Sequence, residues 1–169
     1  MPKGLKETSS LITISAEVQE SAPGVFTSAL VDLTLNPLDN EVFIVYGVDL
    51  DLQPPTLVAG ATTLSRGSIS TTARTGVGNI SNNNVLAAAR IESQDLTTAA
   101  VTNEFKSDSA PSTMLEYIGI ISTNNFHLNV QGSAANPTGR VLHGRVFGVR
   151  ARADASVYAA LVQSELLSA

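Results

Sequence analysis

The sequence predicts an all-β domain, an antiparallel sandwich or barrel of about eight strands followed by a short C-terminal helix. Three observations carry this. Apolar residues recur at every second position over much of the chain, the period of a strand with one buried face. Charged residues make up only 15% of the 169 residues, below the roughly 25% of an average soluble domain. Ser, Thr, Asn and Gly replace them, residues that favour turns and caps over helix interiors. Candidate strands also follow one another at spacings of about 8 to 15 residues with turn chemistry between them, which disfavours alternating strand and helix units.

Each element has its own signal, and together they make a single domain over residues 1–169. Residues 1–10 hold Lys3 and Lys6 with no apolar run behind them, and read as a flexible arm rather than a signal peptide. In Leu11–Val18 the residues Ile12, Ile14, Ala16 and Val18 share one face and Thr13, Ser15 and Glu17 the other. A turn at Ser21-Ala22-Pro23-Gly24 leads to a strand over Val25–Leu35, and Asn36-Pro37-Leu38-Asp39-Asn40 then breaks the chain. Glu41–Leu52 is the clearest strand: its even positions are all apolar, and its odd positions begin with Phe43 and Val45 and end with Asp49 and Asp51. It is expected to be buried on both faces at its start and on one at its end. Pro54 and Pro55 terminate it.

A strand near Leu64–Ala73 follows, then loops marked by Gly76, Gly78 and Asn82-Asn83-Asn84. Val85–Glu92 suits either helix, by its Leu86-Ala87-Ala88-Ala89 run, or strand, by its length. Thr97–Lys106, Leu115–Ser122, Asn125–Gln131 and Arg140–Ala153 read as further strands. At residues 154–167 the period changes to that of a helix, capped by Asp154 or Ser156, with Tyr158, Leu161, Val162 and Leu166 on one stripe.

Composition excludes several classes of function. Cysteine is absent, which removes disulfide frameworks, thiolate nucleophiles and iron–sulfur clusters. A mean hydropathy of +0.16 with a net charge of -5 argues against disorder. No stretch approaches the roughly 18 apolar residues of a membrane span, so the chain is expected to be made and kept in soluble form, or exported by a route its own sequence does not show. His127 and His143 are the only histidines, far apart in sequence and without acidic neighbours, a poor start for a metal site or a triad. Asp49 and Asp51 share a strand face, a solvated one by default. Calcium is the minor alternative if Asp39 or Glu41 were to complete the shell. Gly76-Val77-Gly78 lacks the third glycine of a dinucleotide loop, and the Asn79-Ile80-Ser81 sequon has no secretion signal to accompany it. The expectation is a non-enzyme with no cofactor and no metal. Arg140, Arg145, Arg150 and Arg152 concentrate positive charge in the last strand. Because the chain is acidic overall and 5% aromatic, pairing with a neighbouring subunit is favoured there over direct nucleic-acid binding.

In their pattern, the segments EVFIVYGVDLDLQPP (Glu41–Pro55) and RVFGVRARADASVYAALVQSELLSA (Arg145–Ala169) resemble a single jelly-roll capsid (coat) protein of an icosahedral virus. The resemblance implies a coat subunit that self-assembles into a shell, with barrels packed edge to edge and termini reaching neighbours. Its partners would be copies of itself and other capsid proteins. It would reside in the virion, and in the host cytoplasm before assembly. Residues 1–10 lack the arginine-rich arm that many small RNA-virus coats carry, which leaves room for contact with an internal membrane or a separate packaging protein. A neutral polar surface poor in lysine costs little to bury against copies of itself. The candidate subunit-interface residues are Arg145, Arg150, Arg152, Tyr158, Leu161, Val162 and Leu166. The alternative is a β-sandwich binding module, such as a glycan-binding fibre tip or a capsid decoration protein.

Overall fold

The computed structural model describes residues 3–168; Met1 and Pro2 of the expected arm and Ala169 of the expected domain lie outside the described residues. Strands β1 (Leu5–Glu7), β2 (Ile12–Gln19), β3 (Thr27–Asp32), β4 (Glu41–Leu52), β5 (Thr62–Ser70), β6 (Val85–Asp95), β7 (Ala100–Lys106), β8 (Gly119–Ile121), β9 (Asn125–Gly132) and β10 (Val141–Ala153) precede one helix, α1 (Ala155–Leu167). Each strand with one apolar face must cover it, and here two sheets cover each other. One sheet has the order β1-β10-β4-β8, with β2 also on β10; the other has the order β3-β9-β5-β6-β7.

The pairings nest. β2 lies against β10, β3 against β9, β4 against β8 and β5 against β6, all antiparallel. This is a long hairpin rolled up on itself, so most connections pass from one sheet to the other. The fold is a jelly-roll β-sandwich. Beyond the eight nested strands, β7 extends the second sheet past β6, and β1 extends the β2 edge along the far half of β10.

Between the sheets lies a core built from the inward members of each alternation: Val18, Phe43, Val45, Val48, Leu50, Ile69, Ile91, Phe126, Leu128, Leu142 and Val146 among others. Burying Phe43 and Phe126 alone contributes about 1.5–3 kcal/mol each. Gly67 and Gly144 sit under this core because a Cβ at either would press on Leu142, or on Leu128 and Ile69.

The β4 strand differs from its sequence reading in one respect. Gly47 faces Phe147 but Val45 faces Gly148, so Tyr46 is an extra residue, a β-bulge. The bulge reverses the alternation. Phe43 and Val45 point into the core before it and Val48, Leu50 and Leu52 after it, while Val42 and Ile44 turn to the outer face. Even positions are apolar throughout, but they serve two different cores. Gly148 makes room for the irregularity, since a Cβ there would stand 2.3 Å from the Ile44 carbonyl oxygen and 2.5 Å from the Phe43 ring.

The second core is on the outer face, where Val42, Ile44, Val149, Ala151 and Ala153 are covered by Val157, Tyr158 and Leu161 of α1, with Leu5 and Tyr117 at its margin. Asp154 holds the N-cap position without a side-chain capping bond.

Several elements depart from expectation. Part of the arm expected over residues 1–10 is paired backbone: Leu5 lies opposite Ala153 and Glu7 opposite Ala151. Tyr46 Oη donates to the Glu7 carboxylate at 2.8 Å, tying β1 to the outer face. Val85–Asp95 is strand, because partners on both sides satisfy its backbone and outweigh the helix propensity of its alanines. Of the strand expected over Leu115–Ser122, only Gly119–Ile121 pairs with β4.

Candidate functional site

The outer face of the first sheet is divided in two. One half is the apolar floor under α1; the other is charged and open. The strand alternation places Ser15 and Glu17 of β2, His143 and Arg145 of β10, and Asp49 and Asp51 of β4 in two cross-strand rows, Ser15–Arg145–Asp49 and Glu17–His143–Asp51. With Lys106 they line an open depression of about 590 Å³. His143 Nδ1 is 3.4 Å from the Glu17 carboxylate. Acids and bases alternate across the rows, which suits a charged partner surface better than a proton-transfer pair. Among the described residues no three His, Cys, Asp or Glu side chains are grouped to hold a metal ion. Asp39 and Glu41, the further acids a calcium shell would need, are engaged elsewhere: Asp39 pairs with Arg152 at 2.9 Å and Glu41 with Arg150 at 3.2 Å.

The arginines of the last strand do not make one patch. Alternation along β10 sends Arg145 outward and Arg150 and Arg152 to the opposite face, and each meets different neighbours. Arg140 is buried, donating to the Pro54 carbonyl at 2.8 Å and to the Thr138 carbonyl at 2.8 Å. Arg150 donates to the Leu33 carbonyl at 2.8 Å, the Thr34 carbonyl at 3.2 Å and Thr34 Oγ1 at 3.2 Å. It thereby secures a threonine held at φ 49°, a conformation β-branched residues avoid. Arg150 is engaged with the β3–β4 connection of its own chain.

The helical candidates also divide. Tyr158 and Leu161 pack on the chain's own outer-face core and Val162 is partly buried, whereas Leu166 is 61% exposed. The residue that anchors the helix was not signalled by its apolar stripe. Glu165 is the helix's buried side chain. Its Oε2 accepts from Ser122 N at 2.8 Å, Ser122 Oγ at 2.5 Å and Thr123 N at 3.1 Å, and its Oε1 from Thr123 Oγ1 at 2.9 Å. Glu20 does similar work on other loops, accepting from Gly132 N at 2.7 Å and Arg140 N at 2.6 Å. Both carboxylates replace water for backbone N–H groups that would otherwise be buried without a partner.

The two histidines stand on opposite outer faces, His143 on the first sheet and His127 on the second, where it lies opposite Leu30 and Ser70. Burial holds the His127 imidazole below its usual 6.5. The Gly76–Gly78 loop folds back on the second sheet: Gly78 N donates to Ser68 Oγ at 3.2 Å, and a Cβ at Gly78 would meet Val85 at 2.4 Å. Its glycine serves packing. At Tyr46, burial first, then the Glu7 hydrogen bond and the charges of Glu7 and Glu116, push the phenol from 10.0 up to about 12.

No protein-family model and no curated protein sequence matches the chain. Among solved structures it is similar to the Merkel cell polyomavirus VP1 unassembled pentamer, at 8% identity and a TM-score of 0.38, over 86% of this chain and 96% of that one. It is also similar to desmodium yellow mottle tymovirus, at 9% identity and a TM-score of 0.33, over 92% of this chain and 96% of that one. Among the described residues no helix is long and apolar enough to cross a membrane.

Proposed function

We propose that this chain is a structural protein of a virion, a jelly-roll capsid subunit that associates with copies of itself, and that it carries no catalytic activity. The observation that carries the reading is the surface of the sandwich. Leu30, Phe105, Met114, Leu115, Leu166 and Leu167 are large, apolar and exposed, on a protein with only 15% charged residues. Exposed apolar side chains on a lightly charged surface gain from being covered by other protein, and the scarcity of lysine lowers the ordering and desolvation cost of covering them. Arg145 and Leu166 are the sequence candidates most available to a neighbouring subunit, with Arg152, Tyr158 and Val162 at the margins. The virion is the proposed location. Other capsid proteins, and an internal membrane facing the shell, are the further partners this reading allows.

Sedimentation velocity and negative-stain imaging of the purified protein test it. Rings, shells or discrete capsomers are expected. A strictly monomeric species at tens of micromolar across salt and pH would overturn it.

The open depression formed by Glu17, Asp49, Asp51, His143, Arg145 and Lys106 favours a second reading. On this reading the sandwich is a binding module that recognises a glycan or another coat through that charged face. It predicts a defined ligand whose affinity falls when Asp49 and Arg145 are both replaced by alanine. For the version with calcium, an unchanged melting temperature on calcium addition removes it.

A further inference from the structure

Edge strands present unpaired N–H and C=O groups, and folded proteins ordinarily shorten, charge or cover them. Here β7 is one of the two edges of the second sheet, opposite β3. All seven of its residues are exposed, with Val101 at 39% and Phe105 at 47%. Its hydrogen-bonding direction follows from the two ends of its ladder. Leu96 N donates to the Ala99 carbonyl at 2.9 Å and Ser107 N to the Ala88 carbonyl at 2.9 Å. Antiparallel bonding alternates, so Val101, Asn103 and Phe105 bond to β6. Ala100, Thr102, Glu104 and Lys106 turn their backbone groups outward.

The sequence of β7 is complementary to itself in the antiparallel sense. Placing a two-fold axis at Asn103 sets Val101 opposite Phe105 of a second copy, Thr102 opposite Glu104 and Ala100 opposite Lys106. Every outward-bonding residue then meets another outward-bonding residue, giving about eight backbone bonds between the chains. The apolar pair repeats on both sides of the axis, an aromatic against a β-branched residue, and no like charges stand directly opposite. A residue-odd shift of this register would set outward-bonding positions against inward-bonding ones.

We propose that β7 pairs antiparallel with β7 of a second copy about a two-fold axis at Asn103, joining the two five-stranded sheets into one. The pairing rests on the self-associating reading above and assigns it a surface. It is an isologous contact, closed by its own symmetry.

Cysteine substitution gives a clean test because the chain has none. Asn103 occupies a non-hydrogen-bonded site on the axis, where opposing Cα atoms stand about 4.5 Å apart, within disulfide range. Asn103→Cys is expected to form a disulfide-linked dimer under mild oxidation, with about tenfold more product than Glu104→Cys, whose partner across the axis is Thr102. Glu104→Pro removes only an outward N–H, so β7 stays paired to β6 while the edge is blocked. Placed in the Asn103→Cys background, it is expected to abolish the cross-link with the far-UV spectrum unchanged. Equal cross-linking of Asn103→Cys and Glu104→Cys overturns the proposal, and if the proline variant unfolds, this comparison decides alone. Shells on the grid without the Asn103 cross-link refute the edge pairing and leave the capsid reading standing. A monomer with no cross-link refutes both.

Discussion

Replacing Glu165 by alanine removes the one carboxylate that holds α1 to the β8–β9 turn. Four donors converge on it, the N–H and hydroxyl groups of Ser122 and Thr123. The hydroxyls can rotate to other acceptors, as Thr123 Oγ1 already has the Asn125 carbonyl at 3.2 Å. The two backbone N–H groups cannot. Each buried donor left without a partner costs about 1–3 kcal/mol, and partial entry of water into the gap brings the pair toward the lower half of the range, about 3 kcal/mol in all. For a domain of this size that is a fall in Tm of about 6–12 °C. Glu165→Gln keeps an acceptor for the N–H pair and loses only the charge, so about 1 kcal/mol is expected. Urea unfolding gives the stabilities, and hydrogen exchange of the Ser122 and Thr123 amides gives the location. A Glu165→Ala variant within 0.5 kcal/mol of the parent, with those two amides equally protected, would refute the assignment of helix docking to this carboxylate.

Gly148→Ala forces a methyl group to within 2.3 Å of the Ile44 carbonyl oxygen, and a loss of about 3 kcal/mol is expected in thermal melts. Tyr46 is expected to ionise near 12 in an ultraviolet pH titration, with Glu7→Gln bringing it part of the way back toward 10.0. Because the folded state raises this pKa, its contribution to stability is whole below pH 10 and is lost as pH rises from 10 to 12. His127 has the opposite consequence at the other end of the scale. Its folded pKa lies below 6.5, so the unfolded chain takes up the proton first and stability falls as pH drops through 6.5. His127→Gln is expected to flatten that slope in urea midpoints measured from pH 7.5 to 5.

The period-two pattern made most of the sandwich readable, because a strand with one buried face writes its geometry directly into the order of residues. Ile12, Ile14, Ala16 and Val18 read as one inward face, and they are partly or fully buried against the core. What could not be read depends on groups distant in sequence. Leu5–Glu7 is too short to show a period, and its pairing is supplied by β10. Val85–Asp95 became a strand through its two neighbours, against its own alanines. The four arginines looked like one cluster because a linear count ignores that successive strand residues face opposite ways. Glu165 belongs to no motif, and its role exists only because the β8–β9 turn aims two N–H groups at it. The charged depression was half visible: Asp49 and Asp51 were paired correctly on one face, but the cross-strand register that adds Glu17, His143 and Arg145 is not encoded locally.

The extra residue at Tyr46 has a consequence for how the chain tolerates change in length. Loops elsewhere absorb insertions and deletions at little cost, and here a central strand carries one residue that its partner does not match. Deleting Tyr46 takes out the bulge and restores plain alternation with every face kept: Val45 and Gly47 then stand next to each other opposite Gly148 and Phe147, Phe43 and Val45 still point to the core, and Val42 and Ile44 still point to the helix. Folded protein that survives this deletion, as it survives one made at Gly60 in an open turn, and loses mainly the Tyr46–Glu7 hydrogen bond, would show that the bulge is a reserve of one residue inside a paired strand.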